Sequence, residues 1–448
     1  MSDFPSHIIY HIDVNSAFLS WTAVKRLRDN PEALDIRTIP AVIGGDEKKR
    51  HGIVLAKSVP AKAYGIQTGE PLVQTRKKCP DILIVPPDFA TYVSMSEQLM
   101  NFLKQTAPVV EQYSIDEAFC DMTGTGLLYG DPVAFAHQLK DDILNRFGFT
   151  VNIGISTNKL LAKMASDFKK PNLVHTLFPE EIPQKMWPLP VGELFFVGPS
   201  MCKKLEALGI HTIGDVAASN PQLLVSHFKK HGELIWNYAN GFDIELPVNH
   251  KAANKSFGNS VTLHFDVTDA ENAKTILLSL SETVGARIRA EHAYIGVVSV
   301  TIVDNEFRHL SRQCTLSTPT DITEIIYENA CRLFDLTWNH VPIRLLGVST
   351  AHATDTAFHQ MNLFDEDKNE RFAMLNKAVD SIRDKYGEDS IKRARFLDNG
   401  CTHMSGGLNR EKRSHKKNSQ FFGDSADILK SIMVQCLYKN TPNKIRLK

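Results

Sequence analysis

Three carboxylates occupy positions where an acidic side chain is costly. Asp13 ends the β-rich apolar run of residues 7–14, and Asp116 with Glu117 separates two further short β-rich segments. Burying an unpaired charge is expensive, so such positions suggest a chemical role. If these strands are neighbours in one sheet, the carboxylates converge and form a set of hard oxygen ligands that suits Mg²⁺. Two such ions can promote phosphoryl transfer by binding both the attacking and the leaving oxygen.

The same residues also have a purely structural interpretation. Asp13 could cap a helix that begins near Ser16, and Asp116 with Glu117 could occupy an ordinary hairpin turn. A single aspartate and a distant Asp-Glu pair do not decide between the two interpretations by their spacing alone. The decision therefore depends on the surrounding elements and motifs.

The elements that would position these carboxylates alternate between predicted strands and helices, which indicates an α/β fold for the first ~175 residues. Residues 180–245 have a helical pattern, and residues 255–352 follow a β-α-β-β-α-β order. Residues 367–386 have the apolar spacing of an amphipathic helix. Residues 399–423 have a flexible composition, and a last helix is predicted over residues 426–438.

Four sequence strings surround the candidate site. They are YHIDVNSAF at residues 10–18, YSIDEAF at 113–119, GISTNKLLAK at 154–163 and KPN at 170–172. Together they resemble the motifs of the Y-family, or translesion, DNA polymerases, and the resemblance extends over residues 6–364. This resemblance favours the metal-binding interpretation of the three carboxylates.

The resemblance also implies a fold class and a division of the chain. The expected fold is a mixed α/β and α+β multidomain structure of the right-hand polymerase type. The expected parts are a palm at residues 1–21 and 90–177, fingers at 22–89, a thumb with a helix-hairpin-helix at 178–247, a linker at 248–254, a β-α-β-β-α-β little finger at 255–352, a clamp-binding peptide at 360–364 and a basic, partly flexible tail at 365–448.

By this resemblance, Asp13, Asp116 and Glu117 would hold two Mg²⁺ ions, and the backbone carbonyl of Val14 would add a ligand. The implied reaction is in-line attack of a primer 3′-hydroxyl on the α-phosphorus of a dNTP, driven by positioning and electrostatics. No side chain is assigned as a general base. Primer-template DNA and dNTPs are the implied substrates.

Three further residues match positions that contact the nucleotide in the family. Phe18 matches the steric gate, a bulky ring that would exclude a ribose 2′-hydroxyl, although it could also be an ordinary core residue. Lys170 and Lys62 match cationic residues that neutralise the triphosphate, although surface lysines are usually only solvated. Many family members carry a tyrosine three residues before the position of Lys62, whereas this chain has Val59.

Candidate DNA contacts are predicted in two regions. Gly198 and Ser200 lie in a string that resembles a helix-hairpin-helix, whose free backbone N–H groups would face a phosphate. Ser200 replaces the second glycine of the common motif, and a simple helical hairpin is the alternative. The predicted little finger carries more acidic than basic residues, so binding would need a one-sided arrangement of basic side chains that contact the DNA backbone. The candidates are Lys255, Arg287, Arg289, Arg308 and Arg312.

A short apolar peptide follows the predicted little finger. The string QMNLF at residues 360–364 resembles the peptide that binds the bacterial sliding clamp. Gln360, Leu363 and Phe364 would be its anchors, because a short extended peptide binds through a few side chains in an apolar pocket. The alternative is a strand end that packs on its own domain.

Composition restricts the class of protein. The chain has 448 residues, 43% hydrophobic residues and a net charge of zero, which is typical of globular protein. From residue 368 onward, 18 basic residues face 9 acidic ones, so the basic excess is confined to the end. No apolar run is long enough to span a bilayer, and no signal peptide is recognised. Seven dispersed cysteines favour free thiols, so we expect a cytoplasmic protein. We also expect it to be a monomer.

Three functions are compatible with these features. The first is a template-directed, error-prone DNA polymerase of the translesion type. The second is a non-catalytic clamp- and DNA-binding subunit that keeps the polymerase fold, which the intact carboxylates argue against. The third is a nucleotide cyclase, which also places metal-binding carboxylates on a β-α-β-β-α-β sheet. The thumb, little-finger and clamp-peptide motifs argue against a cyclase.

Overall fold

Three separate β-sheets and their helical layers make up the part of the chain that the computed structural model describes, namely residues 7–45, 52–249, 253–355, 366–397 and 403–404. The predicted clamp peptide at 360–364, most of residues 399–423 and the predicted helix at 426–438 lie outside these residues. Within them, no helix is both long enough and apolar enough to cross a membrane.

The first 176 residues alternate between strands and helices, as the sequence predicts. Glu117 is the first residue of a strand, whereas the sequence pattern placed it between two strands. The elements are β1 (Ile9–Val14), α1 (Ala17–Asp29), β2 (Ala41–Gly44), β3 (Val54–Lys57), α2 (Val59–Lys62), α3 (Leu72–Lys78), β4 (Leu83–Val85), α4 (Phe89–Thr106), β5 (Val109–Gln112), β6 (Glu117–Asp121), α5 (Gly126–Tyr129), α6 (Pro132–Phe147), β7 (Val151–Ser156), α7 (Lys159–Asp167) and β8 (Val174–Thr176).

Strand β1 is the centre of a five-stranded sheet with the order β5-β6-β1-β7-β8. It runs antiparallel to β6 and β7, and both of its faces are covered. Tyr10 and Ile12 pack on one face in the same cluster as Trp21 of α1. Ile9 packs on the other face with Ala162 of α7. Burial of both faces explains why β1 is a continuous apolar run without the alternation of a half-exposed strand.

The next two parts are a small sheet and a helical cluster. The strands between residues 41 and 85 form a three-stranded sheet in the order β3-β2-β4, and β2 pairs parallel with β4. The helical cluster has its own apolar core, which includes Leu205, Leu224 and Ile235. Its helices are α8 (Ile182–Lys185), α9 (Pro199–Ala207), α10 (Ile213–Ala218), α11 (Pro221–Phe228) and α12 (Lys230–Ala239).

The β-α-β-β-α-β order predicted for residues 255–352 is confirmed. The four strands form an antiparallel sheet in the order β11-β10-β12-β9. Both helices contribute to the core on one face of this sheet, for example through Leu280 and Phe334. The elements are β9 (Gly258–Val267), α13 (Ala270–Ala290), β10 (Tyr294–Asp304), β11 (His309–Thr320), α14 (Thr323–Thr337) and β12 (Ile343–Thr354).

Residues 366–397, here called the C-terminal extension, pack against α13 and α14. The extension begins with α15 (Glu366–Tyr386), which confirms the predicted amphipathic helix. Its contacts are mainly polar: Arg383 is 2% exposed and donates to Glu282 of α13 at 2.7 Å. Asn376 donates to Glu324 of α14 at 2.6 Å. The sequence analysis assigned this segment to a basic, partly flexible tail, and the buried polar residues through which it docks, Asn376 and Arg383, lie outside its apolar pattern.

A network of ion pairs joins the extension to the two helices. Glu282 accepts from Arg383 through one oxygen and from Arg393 through the other, and Arg393 also reaches Glu324 at 2.6 Å. Burial alone would raise the pKa of Glu282, but Arg393 and Arg383 outweigh burial and hold this pKa below its ordinary value. The charges of the network therefore compensate one another away from water.

Replacing Arg383 by methionine should destabilise the docked extension by about 3 kcal/mol, because it leaves Glu282 buried with one partner fewer. Hydrogen exchange of α13 and α15 in the full chain measures the effect, which should appear as faster exchange in both helices. Lys377→Met, an exposed position on the same helix, is the matched control and should exchange like the parent. Unchanged protection of α13 and α15 in Arg383→Met would contradict the assigned role.

The same network predicts a pH dependence. The pKa of Glu282 is lowered by folding, so its contribution to stability is complete above pH 4.5, the ordinary pKa of a glutamate. That contribution is lost as the pH falls through the lower pKa of the folded state. Hydrogen exchange between pH 6 and pH 3.5, corrected for intrinsic rates, should show the extension opening at the acid end. A Glu282→Gln variant should lack this acid-dependent step.

Candidate active site

Strand pairing brings the three carboxylates together. Asp13 on β1 lies directly opposite Glu117 on β6 in the antiparallel register. The N–H of Val14 donates to the carbonyl of Asp116 at 3.1 Å, so Asp116 joins the same end of the strand pair. More than a hundred residues separate Asp13 from the other two in the chain. Only the sheet makes them neighbours.

Asp13 is paired with a lysine from outside the sheet. Its Oδ2 accepts from the ammonium of Lys170 at 2.7 Å, and Lys170 also contacts Asp167 at 2.7 Å. Burial raises the pKa of Asp13 to about 6, with a smaller contribution from the nearby charge of Glu117, while Lys170 opposes the rise. Lys170 therefore supplies a positive charge to this largely buried carboxylate.

Asp116 is held by its own turn. The hydroxyl of Ser114 donates to its Oδ1 at 2.7 Å. Burial raises the pKa of Asp116, and the hydrogen bond from Ser114 opposes this rise. The turn therefore orients one carboxylate oxygen and leaves the other available at the same end of the sheet.

Glu117 has partners that the sequence analysis did not assign. Lys163 of α7 donates to its Oε1 at 2.5 Å, and the Nε2 atom of His11 lies 3.6 Å from the same oxygen. His11 is fully buried, and burial lowers the pKa of its imidazole well below the ordinary value, which favours the neutral ring. Its Nδ1 contacts the Ser166 hydroxyl at 2.8 Å, whereas Nε2 has no hydrogen-bond partner within the described residues.

The sequence did contain a signal for these residues. His11 and Lys163 both belong to the strings that resemble the family motifs, and each is a polar residue inside an apolar pattern. A polar side chain at such a position needs a partner. The partners of His11 and Lys163 could be named only once the packing of α7 on β1 was known.

Helix α7 lies directly on the sheet because β7 contains a glycine. A Cβ atom at Gly154 would lie 1.9 Å from the carbonyl oxygen of Ala162 and 2.4 Å from the backbone nitrogen of Ser166. No side chain fits in that space. The absence of a side chain therefore sets how close Lys163 comes to Glu117.

The donor set suits a hard divalent cation such as Mg²⁺. The three groups are carboxylates at one end of a strand pair, and Mg²⁺ commonly takes one or two protein carboxylates together with substrate phosphates. Among the described residues, no group of three or more carboxylate, imidazole or thiolate side chains is arranged so that it could hold a metal ion. Lys170 and Lys163 pair with Asp13 and Glu117 instead, so a cation at this end of the sheet would need substrate phosphates to complete its ligands.

Phe18 lies in the first turn of α1, immediately beyond the end of β1. Its half-buried ring stacks on Tyr92 with 4.5 Å between ring centroids and 10° between planes. Tyr92 is itself fully buried, and its hydroxyl contacts Thr22 at 3.0 Å. One face of the Phe18 ring therefore packs on Tyr92, and the ring is partly exposed to solvent. Its role as steric gate stays a prediction.

The remaining nucleotide-site prediction, Lys62, lies on a short helix of the small sheet. Lys62 ends α2 and is exposed. Burial lowers the pKa of Lys57, and the charge of Lys62 adds to this shift. Val59 begins the same helix and is 52% exposed, and it is apolar where many family members carry a tyrosine hydroxyl. Contact of Lys62 with a nucleotide stays a prediction.

Gly198 and Ser200 lie at the exposed start of α9. Gly198 is the N-terminal cap of this helix, and a Cβ atom there would meet nothing within 4 Å. Its carbonyl accepts from the N–H groups of Met201 and Cys202, and Ser200 is exposed. The geometry is open enough for close approach of a phosphate.

The basic residues predicted to contact DNA are used in different ways. Arg289 is committed to an internal ion pair with Asp380 at 2.6 Å, and it also donates to the Asp321 carbonyl. Arg308 pairs with Asp304 at 2.7 Å but is 57% exposed. The remaining three lie as follows: Lys255 is exposed before β9, Arg287 donates to the Gly258 carbonyl from α13, and Arg312 reaches the Leu336 carbonyl at the end of α14. Arg289 is therefore already used inside the domain, and contacts of the five residues with DNA stay predictions.

Sequence reasoning missed a different surface on the same domain. The sheet face opposite α13 and α14 is lined by small polar residues, because alternate strand residues point away from the core. Strand pairing aligns them in two rows across the four strands. The rows are Ser311, Thr301, Gly347 and Ser260, and Gln313, Ser299, Ser349 and Gly258. A search for basic residues could not find this surface, because it carries no charge.

The architecture defines a class of protein. A five-stranded sheet that ends in three carboxylates, a small three-stranded sheet, a helical cluster and a separate β-α-β-β-α-β domain together form the fold of a Y-family DNA polymerase. A solved structure titled Y-family DNA polymerase chimera Dbh-Dpo4(243-245)-Dbh matches with a TM-score of 0.66 and 22% identity. The match covers 78% of this chain and all of that chain.

Sequence comparisons show the family. The model of the impB/mucB/samB family matches residues 12–167, its C-terminal domain matches residues 254–363, and the IMS family HHH motif matches residues 179–210. The chain belongs to the impB/mucB/samB family, the group of Y-family polymerases that the fold indicates.

Named relatives agree with this assignment over nearly their whole length. The DNA polymerase IV of Clostridium acetobutylicum is 49% identical over 393 residues, which is 88% of this chain and 99% of the relative. The DNA polymerase IV of Acetivibrio thermocellus is 33% identical over 401 residues, which is 87% of this chain and 97% of the relative.

Gly154→Ala should destabilise the first sheet by about 1–3 kcal/mol, because the added methyl group forces α7 away from β7. Thermal unfolding and hydrogen exchange of α7 in the full chain measure the effect. Gly126→Ala adds the same methyl group where nothing lies within 4 Å, and it should leave α7 unchanged. If the two variants have the same unfolding temperature and the same exchange in α7, the close contact between α7 and the sheet does not contribute to stability.

Proposed function

We propose that this protein is a DNA-directed DNA polymerase of the translesion type, which adds deoxynucleotides to a primer 3′ end. The observation that carries the proposal is the convergence of Asp13, Asp116 and Glu117 at one end of the β1–β6 pair, in a chain that belongs to the Y-family. Three intact carboxylates on a polymerase sheet argue for an active enzyme and against a purely DNA-binding subunit.

In this proposal Asp13, Asp116 and Glu117 bind two divalent cations, of which Mg²⁺ is the expected one, and the Val14 carbonyl adds a ligand. The bound ions would supply the charge that activates the primer 3′-hydroxyl and stabilises the pyrophosphate. The chain itself contributes orientation: Ser114 fixes one oxygen of Asp116, and the sheet register fixes Asp13 opposite Glu117.

Lys170 is proposed to bind the triphosphate of the incoming nucleotide. In the structure it pairs with Asp13, and it is part-buried beside the carboxylates. A cation held by Asp13 would weaken this pair and make the ammonium available to phosphate oxygens, for which it is a strong partner. Lys62 is proposed to contact the same triphosphate from the small sheet, where Val59 offers no hydroxyl to assist it.

Phe18 is proposed to select deoxynucleotides. A ring braced against Tyr92 cannot move away from a ribose 2′-hydroxyl without losing its stacking partner.

The proposed DNA-binding surface combines the exposed start of α9 with the uncharged polar face of the β9–β12 sheet. Such contacts go to the DNA backbone and carry no sequence information. Weak DNA binding by the β9–β12 domain supports low processivity, and error-prone synthesis is proposed from the family resemblance alone.

The expected setting of the enzyme follows from the same proposal. Primer-template DNA and dNTPs are its substrates, and the peptide of Gln360, Leu363 and Phe364 would bind the bacterial sliding clamp. We expect a monomer that acts in the cytoplasm, where the chromosome and the clamp are accessible in a bacterium.

Primer extension with Asp116→Asn tests the catalytic assignment. The variant keeps the shape of the side chain but loses the charge that would hold a cation, so extension should fall by at least about 100-fold. The exposed Asp142→Asn on α6 is the control and should extend like the parent. Parent protein that adds no nucleotide with or without a sliding clamp would instead favour the non-catalytic DNA-binding subunit.

Phe18→Ala tests the steric gate. Removal of the ring should raise the incorporation of ribonucleotides relative to deoxynucleotides by about 10-fold or more, because the 2′-hydroxyl no longer meets a bulky group. Single-nucleotide incorporation with each sugar measures the ratio of kcat/KM. Phe102→Ala removes a partly buried ring from α4, away from the site, and should leave that ratio unchanged. If kcat/KM falls equally for both sugars in Phe18→Ala, Phe18 is a core residue and not the steric gate.

Leu363→Ala combined with Phe364→Ala tests the clamp peptide. Loss of both apolar anchors should abolish the increase in product length that a bacterial sliding clamp gives to the parent. Product length on a long primed template, with and without the clamp, is the measurement. Stimulation that survives the double substitution would place the clamp contact elsewhere in the chain.

A further inference from the structure

Lys163 is the strongest unassigned polar group near the proposed active site. It lies on the face of α7 that packs against the sheet, and its side chain is only 11% exposed. Burying an ammonium is costly unless it is paired and hydrogen-bonded. Its partner is the Oε1 atom of Glu117, and this is the one carboxylate with which it pairs within the described residues.

Two aromatic rings hold the ammonium in place. Its nitrogen lies 5.5 Å from the ring centroid of Tyr113 and 5.4 Å from that of Phe195. Tyr113 precedes the carboxylate turn, whereas Phe195 belongs to the segment that leads into α9. Cation–π contacts of this kind are worth more where water is displaced. The position of Lys163 is therefore set by groups from two different parts of the chain, the turn of residues 113–117 and the segment before α9.

The two oxygens of Glu117 are used unequally. Oε1 accepts from Lys163 and also faces the Nε2 atom of His11 at 3.6 Å. No partner of Oε2 is found in the described part of the chain. A carboxylate tied at one oxygen cannot rotate freely, so the other oxygen is presented in a defined direction. Mutation of a group that orients a metal ligand in this way commonly lowers metal affinity or activity 10–100-fold.

We propose that Lys163 is a positioning residue, which ties Oε1 of Glu117 so that Oε2 faces the divalent cation, and that Phe195 couples this arrangement to the helical cluster. The proposal rests on the proposed function, because Glu117 needs orientation only if it is a ligand. Movement of the helical cluster relative to the sheet would then alter the cation site through Phe195 and Lys163.

Lys159 provides a matched control on the same helix. It lies one turn before Lys163, its side chain is 12% exposed, and its ammonium lies 5.1 Å from the ring centroid of Phe119. It pairs with Glu111 at 2.9 Å, a glutamate of β5 that is not one of the proposed ligands. The two lysines therefore share burial, pairing and ring contact, and they differ in which carboxylate they orient.

The test measures cation binding without turnover. Free Mn²⁺ is counted by electron paramagnetic resonance in a complex of the full chain with dNTP and DNA whose primer ends in a dideoxynucleotide. We expect Lys163→Met to bind Mn²⁺ about 10-fold more weakly than the parent. Loss of a positive charge alone would strengthen cation binding, so the direction of the change separates orientation from simple charge neutralisation. Lys163→Arg should recover part of the affinity, and Lys159→Met should bind like the parent.

A second measurement tests the contact with the helical cluster. Phe195→Leu removes one ring from Lys163 and should weaken Mn²⁺ binding in the same direction but by less. Phe196→Leu changes the adjacent ring, which is 51% exposed and has no assigned contact with Lys163, and it should have no effect. Equal effects of the two substitutions would overturn the proposed coupling through Phe195.

Mn²⁺ affinity in Lys163→Met that equals or exceeds the parent value would overturn the proposal. Circular dichroism checks that each variant is folded, and Lys163→Gln, which keeps a hydrogen-bond donor without the charge, replaces Lys163→Met if the latter does not fold. A parent protein that extends primers while Lys163→Met binds Mn²⁺ normally refutes this inference alone. A parent that extends no primer refutes the proposed function itself.

Discussion

The repulsion among three carboxylates at one end of the β1–β6 pair is the constraint on which the active site depends. In a partly buried environment like charges repel more strongly than in water, so the arrangement holds only where cations lie close by. Lys170 and Lys163 supply two of these charges from α7 and the segment after it. The close packing of α7 on β7, which Gly154 permits, is therefore a requirement of the charge balance as well as of the core.

A comparison of two glutamates separates a structural site from a chemical one. Glu282 uses both carboxylate oxygens to pair with arginines of the C-terminal extension. Glu117 uses one oxygen, toward Lys163, and keeps the other available. Both glutamates are largely buried and compensated, but only Glu117 is arranged to accept a further cation. Incomplete pairing, more than burial itself, marks the candidate site.

The parts proposed to contact DNA follow a different rule from the carboxylate site. The open face of the β9–β12 sheet presents hydroxyls and glycines, whereas the start of α9 adds the ammonium of Lys204 beside Gly198 and Ser200. Neutral groups contact a phosphate backbone without the strong attraction that a basic surface provides. The opposite face of the same sheet is covered by α13 and α14, and the C-terminal extension packs on these helices. Within the described residues, one face of the β9–β12 sheet is therefore exposed, and the buried charges of the domain lie on the side of α13 and α14.

Local sequence patterns were sufficient to predict most of the elements. The helix Ala270–Ala290, the central strand and the β-α-β-β-α-β order follow from apolar spacing, and the motif strings identified Asp13, Asp116 and Glu117 as candidates. Partners of these residues were not predictable in the same way. Lys163, His11 and the docking of Arg383 depend on contacts between residues far apart in the chain, and polar contacts leave no periodic pattern. Short-range spacing determines which elements form, whereas the pairing of distant charges is decided only when those elements pack.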